Sequence, residues 1–191
     1  MPDLRLISPP PRDDLAEKLR DRLSHAVPGS RIVAEGLLGA ASRVDFVSVE
    51  PGGRIALVLV GDHDEDLELV GRGLAQRAWV AARLADWIQL APHLELRHDA
   101  PVRVVLLCPE YSPETRAAID ALGPEVMVGV VYRCVQNGTG SEVLLEHLAL
   151  PAPSAAPPRE EATGPTGGGT FRTGLGDADL GLTPEELREF E

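Results

Sequence analysis

Residues 54–61 read Arg-Ile-Ala-Leu-Val-Leu-Val-Gly, with no polar side chain between the arginine and the glycine. A strand that alternates apolar and polar residues can leave one face in water. This run cannot, so both of its faces need covering. Pro51-Gly52-Gly53 supplies turn chemistry just before it, and residues 43–50 (Arg-Val-Asp-Phe-Val-Ser-Val-Glu) alternate like a strand. The two runs predict a hairpin whose second strand is nearly all apolar.

The neighbouring patterns supply the cover. Asp13 or Asp14 is placed to cap a helix over 14–26, with Leu15, Leu19, Leu23 and Ala26 at helical spacing. Residues 31–38 read as a short strand. A long helix is expected over about 64–90, with Leu67, Val70, Leu74, Ala78, Ala81, Ala85 and Ile88 on its core face. Residues 102–108 form a buried-type strand. Ser112-Pro113-Glu114 opens a helix that runs to Leu122 and ends at Gly123-Pro124. Residues 126–135 and 141–149 are strands joined by Asn137-Gly138-Thr139-Gly140. The order predicts an α/β domain, a mixed central sheet flanked by helices.

Composition divides the chain. Residues 1–11, with Pro9-Pro10-Pro11, read as a flexible leader and 12–150 as the folded domain. Residues 151–170 are a Pro- and then Gly-rich stretch that cannot bury enough apolar surface to fold, so a disordered linker is expected. Residues 171–191 form a short acidic and apolar motif. Thr183 and Glu186 make a capping box with Pro184 at the first helical position. Leu180, Leu182, Leu187 and Phe190 are the candidate partner-binding residues of a helix that folds on meeting a protein.

The formal charge of −12 argues against non-specific nucleic-acid binding, which needs Lys and Arg on phosphates. Lys18 is the sole lysine. No apolar run approaches a membrane span and no secretory signal is visible, so a cytoplasmic location is expected. Cys108 and Cys134 fall in apolar strands and read as buried thiols. The acids of His63-Asp64-Glu65-Asp66 read as a helix start favoured by the macrodipole. On the long helix, Arg72, Gln76 and Arg83 lie opposite the core stripe and are the candidate nucleic-acid contacts, with Arg43, Arg54 and Arg103 as additions. Leu69, Val80 and Trp87 form a second apolar stripe, which suits a neighbouring helix, a homodimer contact or a dock for the tail.

Arg43-Val44-Asp45, the strand that follows, the Gly52-Gly53-Arg54 turn, the apolar strand and the long helix together resemble the PD-(D/E)XK, or restriction-endonuclease-like, superfamily. The likeness is to its RecB-like and single-strand-DNA-specific domains. It covers about 40 residues, Ser42 to Ala81, and extends to about 149 through element order. The resemblance implies an acid on the first strand and Glu-x-Lys on the second. There two carboxylates hold a divalent cation that activates water, and the lysine orients the nucleophile. Asp45 matches the first acid; the Glu and Lys positions fall on Leu59 and Gly61. A displaced site would draw on Glu35, Asp45 and Asp62 or Asp64. The expectation is an inactive nuclease-like domain acting as an interaction scaffold, with no cofactor. The alternatives are an Mg²⁺- or Mn²⁺-dependent DNA endonuclease with a displaced site, and a non-catalytic DNA-binding module.

Overall fold

A computed structural model describes residues 4–39, 42–138 and 140–148. The element order is β1 (Leu4–Ile7), α1 (Arg12–Ala26), β2 (Arg31–Leu38), β3 (Arg43–Val49), β4 (Ile55–Val60), α2 (Asp66–Ala81) and α3 (Leu84–Leu90). A 3₁₀ turn (Pro92–Leu94), β5 (Arg103–Cys108), α4 (Pro113–Leu122), β6 (Met127–Asn137) and β7 (Gly140–His147) follow. The strands form one mixed sheet. The β2–β3 and β3–β4 pairs are antiparallel, β4–β5 and β5–β6 are parallel, and β7 closes the far edge antiparallel to β6. β1 pairs antiparallel with the last residues of β6, on the edge that β5 leaves free. The expected α/β class, a mixed central sheet flanked by helices, is the observed one.

β4 is buried from end to end, as its composition demands, and its alternation feeds two cores. Ala56, Val58 and Val60 pack with Leu15, Leu19 and Leu23 of α1. Ile55, Leu57 and Leu59 pack with Leu69, Val70 and Val80 of α2, Leu84 of α3 and Ile119 of α4. α2 lies close on β5: a Cβ on Gly73 would stand 2.9 Å from Val104 Cγ1. Among the described residues no helix is long and apolar enough to cross a membrane.

Several expectations need correction. Residues 4–7, read as part of a loose leader, are a strand, because β6 runs beyond β5 and offers them a free edge. α1 begins two residues earlier than expected, after Pro11, and has no side-chain cap. The long helix is two helices. The Arg83 amide reaches back to Val80 O (2.9 Å), tightening the last turn of α2, while the Arg83 carbonyl accepts from Trp87 to begin α3. The Arg83 side chain donates to Trp79 O (3.1 Å) and lies over its ring at 4.2 Å, occupying the end of α2.

The core face of α2 is also rotated from the expected one. Leu69, Val70, Gly73, Gln76 and Val80 are buried, whereas Leu67, Ala78, Ala81 and Ala85 are exposed. Val70 of the expected stripe is buried and Leu74 and Ile88 pack against the same core, while Leu69 and Val80 of the second stripe are fully covered, so the core face spans parts of both stripes. Helical spacing alone does not choose between adjacent apolar stripes; the larger Leu69 and Val80 side chains take the sheet and the alanines face water.

Candidate functional site

The C-terminal end of β4 opens into a cleft of about 550 Å³, lined by Pro9, Pro10, Arg12, Leu15, Val60, Asp62, His63, Asp64 and Glu65. The mouth of a parallel sheet is where open α/β folds commonly bind ligands. Pro9 and Pro10, between β1 and α1, form one wall, α1 another and the β4–α2 connection the third.

Asp45 lies behind two of the lining residues, bonded to Arg12 and to the Val60 amide, and is 6% exposed. The β3–β4 ladder ends at Phe46↔Val58. Beyond it the Val60 N–H would be left without a partner, and the Asp45 carboxylate accepts it at 2.8 Å. Arg12, from the first turn of α1, brings one guanidinium nitrogen to both Asp45 oxygens (3.1 and 3.3 Å) and to Val60 O (2.9 Å). The packing around Asp45 explains its placement. Val44 packs in the α2-side core and Phe46, two residues on, in the α1-side core, so the alternation slips between them. Burial works against the Arg12 charge, but Asp45, helped by Asp62 and Glu65, raises its pKa above the usual arginine value.

The two positions that the sequence resemblance aligns with the second carboxylate and the lysine are filled by packing. Leu59 is fully buried in the α2-side core. Gly61 is walled in: a Cβ there would lie 2.9 Å from both Cys108 Sγ and Leu69 Cδ2. Its carbonyl accepts from the Tyr132 hydroxyl at 3.2 Å, and its amide donates to Leu107 O at 2.8 Å. The residues present do not fit a cation held by two carboxylates with a lysine beside it. Among the described residues no group of three or more His, Cys, Asp or Glu is placed to hold a metal ion.

The remaining candidates are dispersed. Glu35 lies on β2 and pairs with Arg20 Nε at 2.9 Å, on the outside of α1. Asp62 and Asp64 line the cleft. Arg72 is half-buried, its guanidinium 3.9 Å from Glu65. Gln76, expected on the solvated face, is 1% exposed and donates to Ser42 O and Oγ, both at 2.8 Å. Arg83 is exposed on Trp79. Arg72, Gln76 and Arg83 therefore share no surface. Arg54 and Arg103 are tied to Glu50 and Glu125 at the opposite end of the sheet. Leu180, Leu182, Leu187 and Phe190, with the whole of 151–191, lie outside the described residues.

Two features of the site were missed in the sequence. Arg12 was overlooked, although an arginine in the first turn of a helix opposes the macrodipole and so signals a nearby anion. Asp66, one of the acids at the expected helix start, is buried and joins α2 to α4 by accepting the Ser112 N–H at 2.6 Å. Burial pushes its pKa up, but hydrogen bonds from the Ser112 amide and the Thr115 and Ser112 hydroxyls outweigh it and hold the carboxyl below its usual value. Beside it, burial and then the Asp66 charge push the Cys108 thiol up to about 12. That is an inert thiol rather than a nucleophile. The Tyr111 hydroxyl donates to Leu106 O at 2.6 Å and receives the Val130 amide at 3.2 Å, closing the same end of the core.

No protein-family model matches this chain, and no curated protein does. Solved structures overlap it loosely. A repair endonuclease from Pyrococcus abyssi is 14% identical, over 64% of this chain and 47% of that one, with a TM-score of 0.45. An EndoMS–double-stranded DNA complex is 12% identical over 64% and 45%, at 0.38. SfsA from Pyrococcus furiosus in complex with Ca²⁺ is 14% identical over 71% and 61%, at 0.34. The chain spans about half the length of the first two. Overlaps this loose do not fix a shared fold, and the nuclease-like reading rests on residues 42–81 of this chain.

Proposed function

We propose that residues 12–150 form a nuclease-like α/β domain that has kept the frame of such an enzyme without its catalytic set, and that the chain works as an interaction scaffold. The observation that carries this is the packing at Leu59 and Gly61. The position for the second carboxylate is a core leucine, and the position for the lysine has no room for a Cβ. Asp45, the acid that remains, is engaged by the Val60 amide and Arg12 and so serves the joint between α1 and β4. Residues 171–191 are the proposed partner-binding element, through Leu180, Leu182, Leu187 and Phe190.

The test is a cleavage and binding assay on single-stranded, duplex and flapped DNA, with Mn²⁺ or EDTA, for the native chain and Asp45→Ala. The scaffold reading expects no cutting. Metal-dependent cutting that Asp45→Ala abolishes would overturn it in favour of an endonuclease with a displaced site. The presence of Asp62, Asp64 and Glu65 in the cleft beside Arg12 favours that as the second reading. Salt-sensitive binding without cutting would identify a DNA-binding module. Deleting 171–191 is expected to remove co-purifying protein; an unchanged set would end the tail's role.

A further inference from the structure

The sheet ends at β2, whose outer edge pairs with no strand among the described residues. The main-chain N–H and C=O groups on that side are open to another extended chain. Beside this edge, between β2 and α3, lies an apolar groove of about 250 Å³. Val33, Ala34 and Leu37 of β2 form one wall, and Trp87, Leu90 and Leu94 the other. The groove shares no residue with the cleft at the end of β4. Leu90 is 82% exposed, more than any other large apolar side chain among the described residues.

The shape of β2 selects what can lie there. Its ladder to β3 slips between Ile32 and Ala34, and Gly36 takes a φ of +62°. These irregularities bring Val33, Ala34 and Leu37 to one side, where strict alternation would divide them. They also bend the edge, which hinders a long flat pairing with a second copy but lets a short segment follow it. The groove is smaller than the roughly 300–1,000 Å³ of a small-molecule pocket and suits side chains projecting from a strand. Charge sets the direction. Arg31, exposed at the start of β2, donates from Nη2 to His93 O (3.3 Å) and Leu94 O (3.1 Å), which holds its guanidinium against the groove wall. Glu35, the other charged residue of β2, turns to Arg20 on α1. The groove side of β2 is therefore positive at one end. A segment antiparallel to β2, the more stable pairing, brings its C-terminal end to that arginine.

We propose that the β2 edge and this groove bind the C-terminal residues of a partner protein as an added antiparallel strand, with alternate apolar side chains in the groove and the terminal carboxylate on Arg31. Main-chain bonds to β2 supply a sequence-independent part of the affinity, and the groove and Arg31 select an apolar, carboxylate-ended segment. The inference does not depend on the scaffold reading, since neither Asp45 nor residues 171–191 take part in it.

The test is fluorescence anisotropy of fluorescein-labelled hexapeptides with the full chain. The peptides alternate threonine with valine, leucine or phenylalanine, end in the apolar residue, and are made as free acids and as amides. Tryptophan emission is read in parallel, because Trp87 lines the groove. At least one free acid is expected to bind and to shift that emission. Its amide should bind about fivefold more weakly, and the difference should vanish in Arg31→Gln. Leu90→Asp places a charge on the groove at an exposed position that folding tolerates, and should weaken binding about tenfold or more. N-methylation of the peptide at alternate amides should abolish binding in one phase and spare it in the other, as strand pairing requires. No binding by any peptide at millimolar concentration would overturn the proposal. So would equal binding of acid and amide, indifference to Leu90→Asp, or indifference to N-methylation at every position. Self-association of the native chain that Leu90→Asp abolishes, seen by sedimentation velocity, would overturn it in favour of a second copy on the edge.

Discussion

The two ends of the central sheet use charge in opposite ways. At the β3–β4 turn end, Glu50, Arg54, Arg103 and Glu125 close a ring: Glu50 meets Arg54 (3.8 Å) and Arg103 (3.1 Å), and Glu125 meets Arg54 (2.7 Å) and Arg103 (3.6 Å). Two acids and two bases balance there. At the opposite end Asp62, Asp64 and Glu65 line an open cleft with Arg12, whose guanidinium is committed to Asp45 and Val60. There Glu65 meets Arg72 at 3.9 Å, while Asp62 and Asp64 add negative charge to a roomy concave surface. One end is spent on holding strands together, and the other keeps charge that the fold does not need.

The largest expected break in this comparison is Asp45→Ala. It strands a guanidinium and a buried amide together, and we expect a loss of about 3 kcal/mol by chemical denaturation. A loss comparable to an ordinary surface change, below about 0.5 kcal/mol, would mean that Arg12 and Val60 find other partners. Glu50→Gln comes next. Glu50 is 11% exposed and shared by two arginines, so about 2 kcal/mol should be lost. That loss should fall only slightly with added salt, because the group is shielded from the solvent.

Asp66→Asn sharpens the comparison within the cleft end. The mutation weakens the bonds to Ser112 and Thr115, with about 1 kcal/mol lost at neutral pH. The sign of its pH dependence follows from the lowered folded-state value. The carboxylate's contribution is complete above its ordinary value of 3.8 and disappears as the pH falls through the lower folded value. The native chain should therefore lose stability below about pH 4 more steeply than Asp66→Asn. The smallest effect is expected at Asp62. Asp62→Asn relieves repulsion with its acidic neighbours and removes one anion near Arg12, so stability should stay within about 0.5 kcal/mol of native. A large loss at Asp62, measured at low salt, would show that the surplus is structural after all and erase the contrast between the two ends.

The local signals in the sequence were strong where the chemistry was local. Ser112 caps α4 with Pro113 in the first turn, as the Ser-Pro-Glu pattern predicted, and its hydroxyl accepts the Thr115 amide at 3.2 Å. Residues 31–38 are β2 with the bounds that the pattern gave, and the 43–61 hairpin is observed within a residue or so at each end. What failed was the choice between equivalent faces. Periodicity places Gln76 on the solvated side of α2 and ranks the Leu69 stripe second, because two apolar stripes run beside each other there. β1 failed for a different reason. Four residues have little pattern of their own, and only the overhang of β6 gives them a place.

At the candidate site, the sequence by itself determined that a leucine and a glycine, Leu59 and Gly61, stand two and four residues after Leu57, so no acid or lysine side chain is available from those positions. It also determined that β4 would be central, since an all-apolar strand can lie nowhere else. Tertiary structure alone decided what became of Asp45. Its partners lie 33 residues before it and 15 after it, and no spacing rule links them. They meet because the β3–β4 ladder ends at Phe46↔Val58, two pairs short of Val60, and leaves an amide that must be satisfied. The same gap admits an arginine from the start of α1. Pattern reads the faces of single elements; a site made from the frayed end of one strand and the first turn of a distant helix exists only once the sheet has formed.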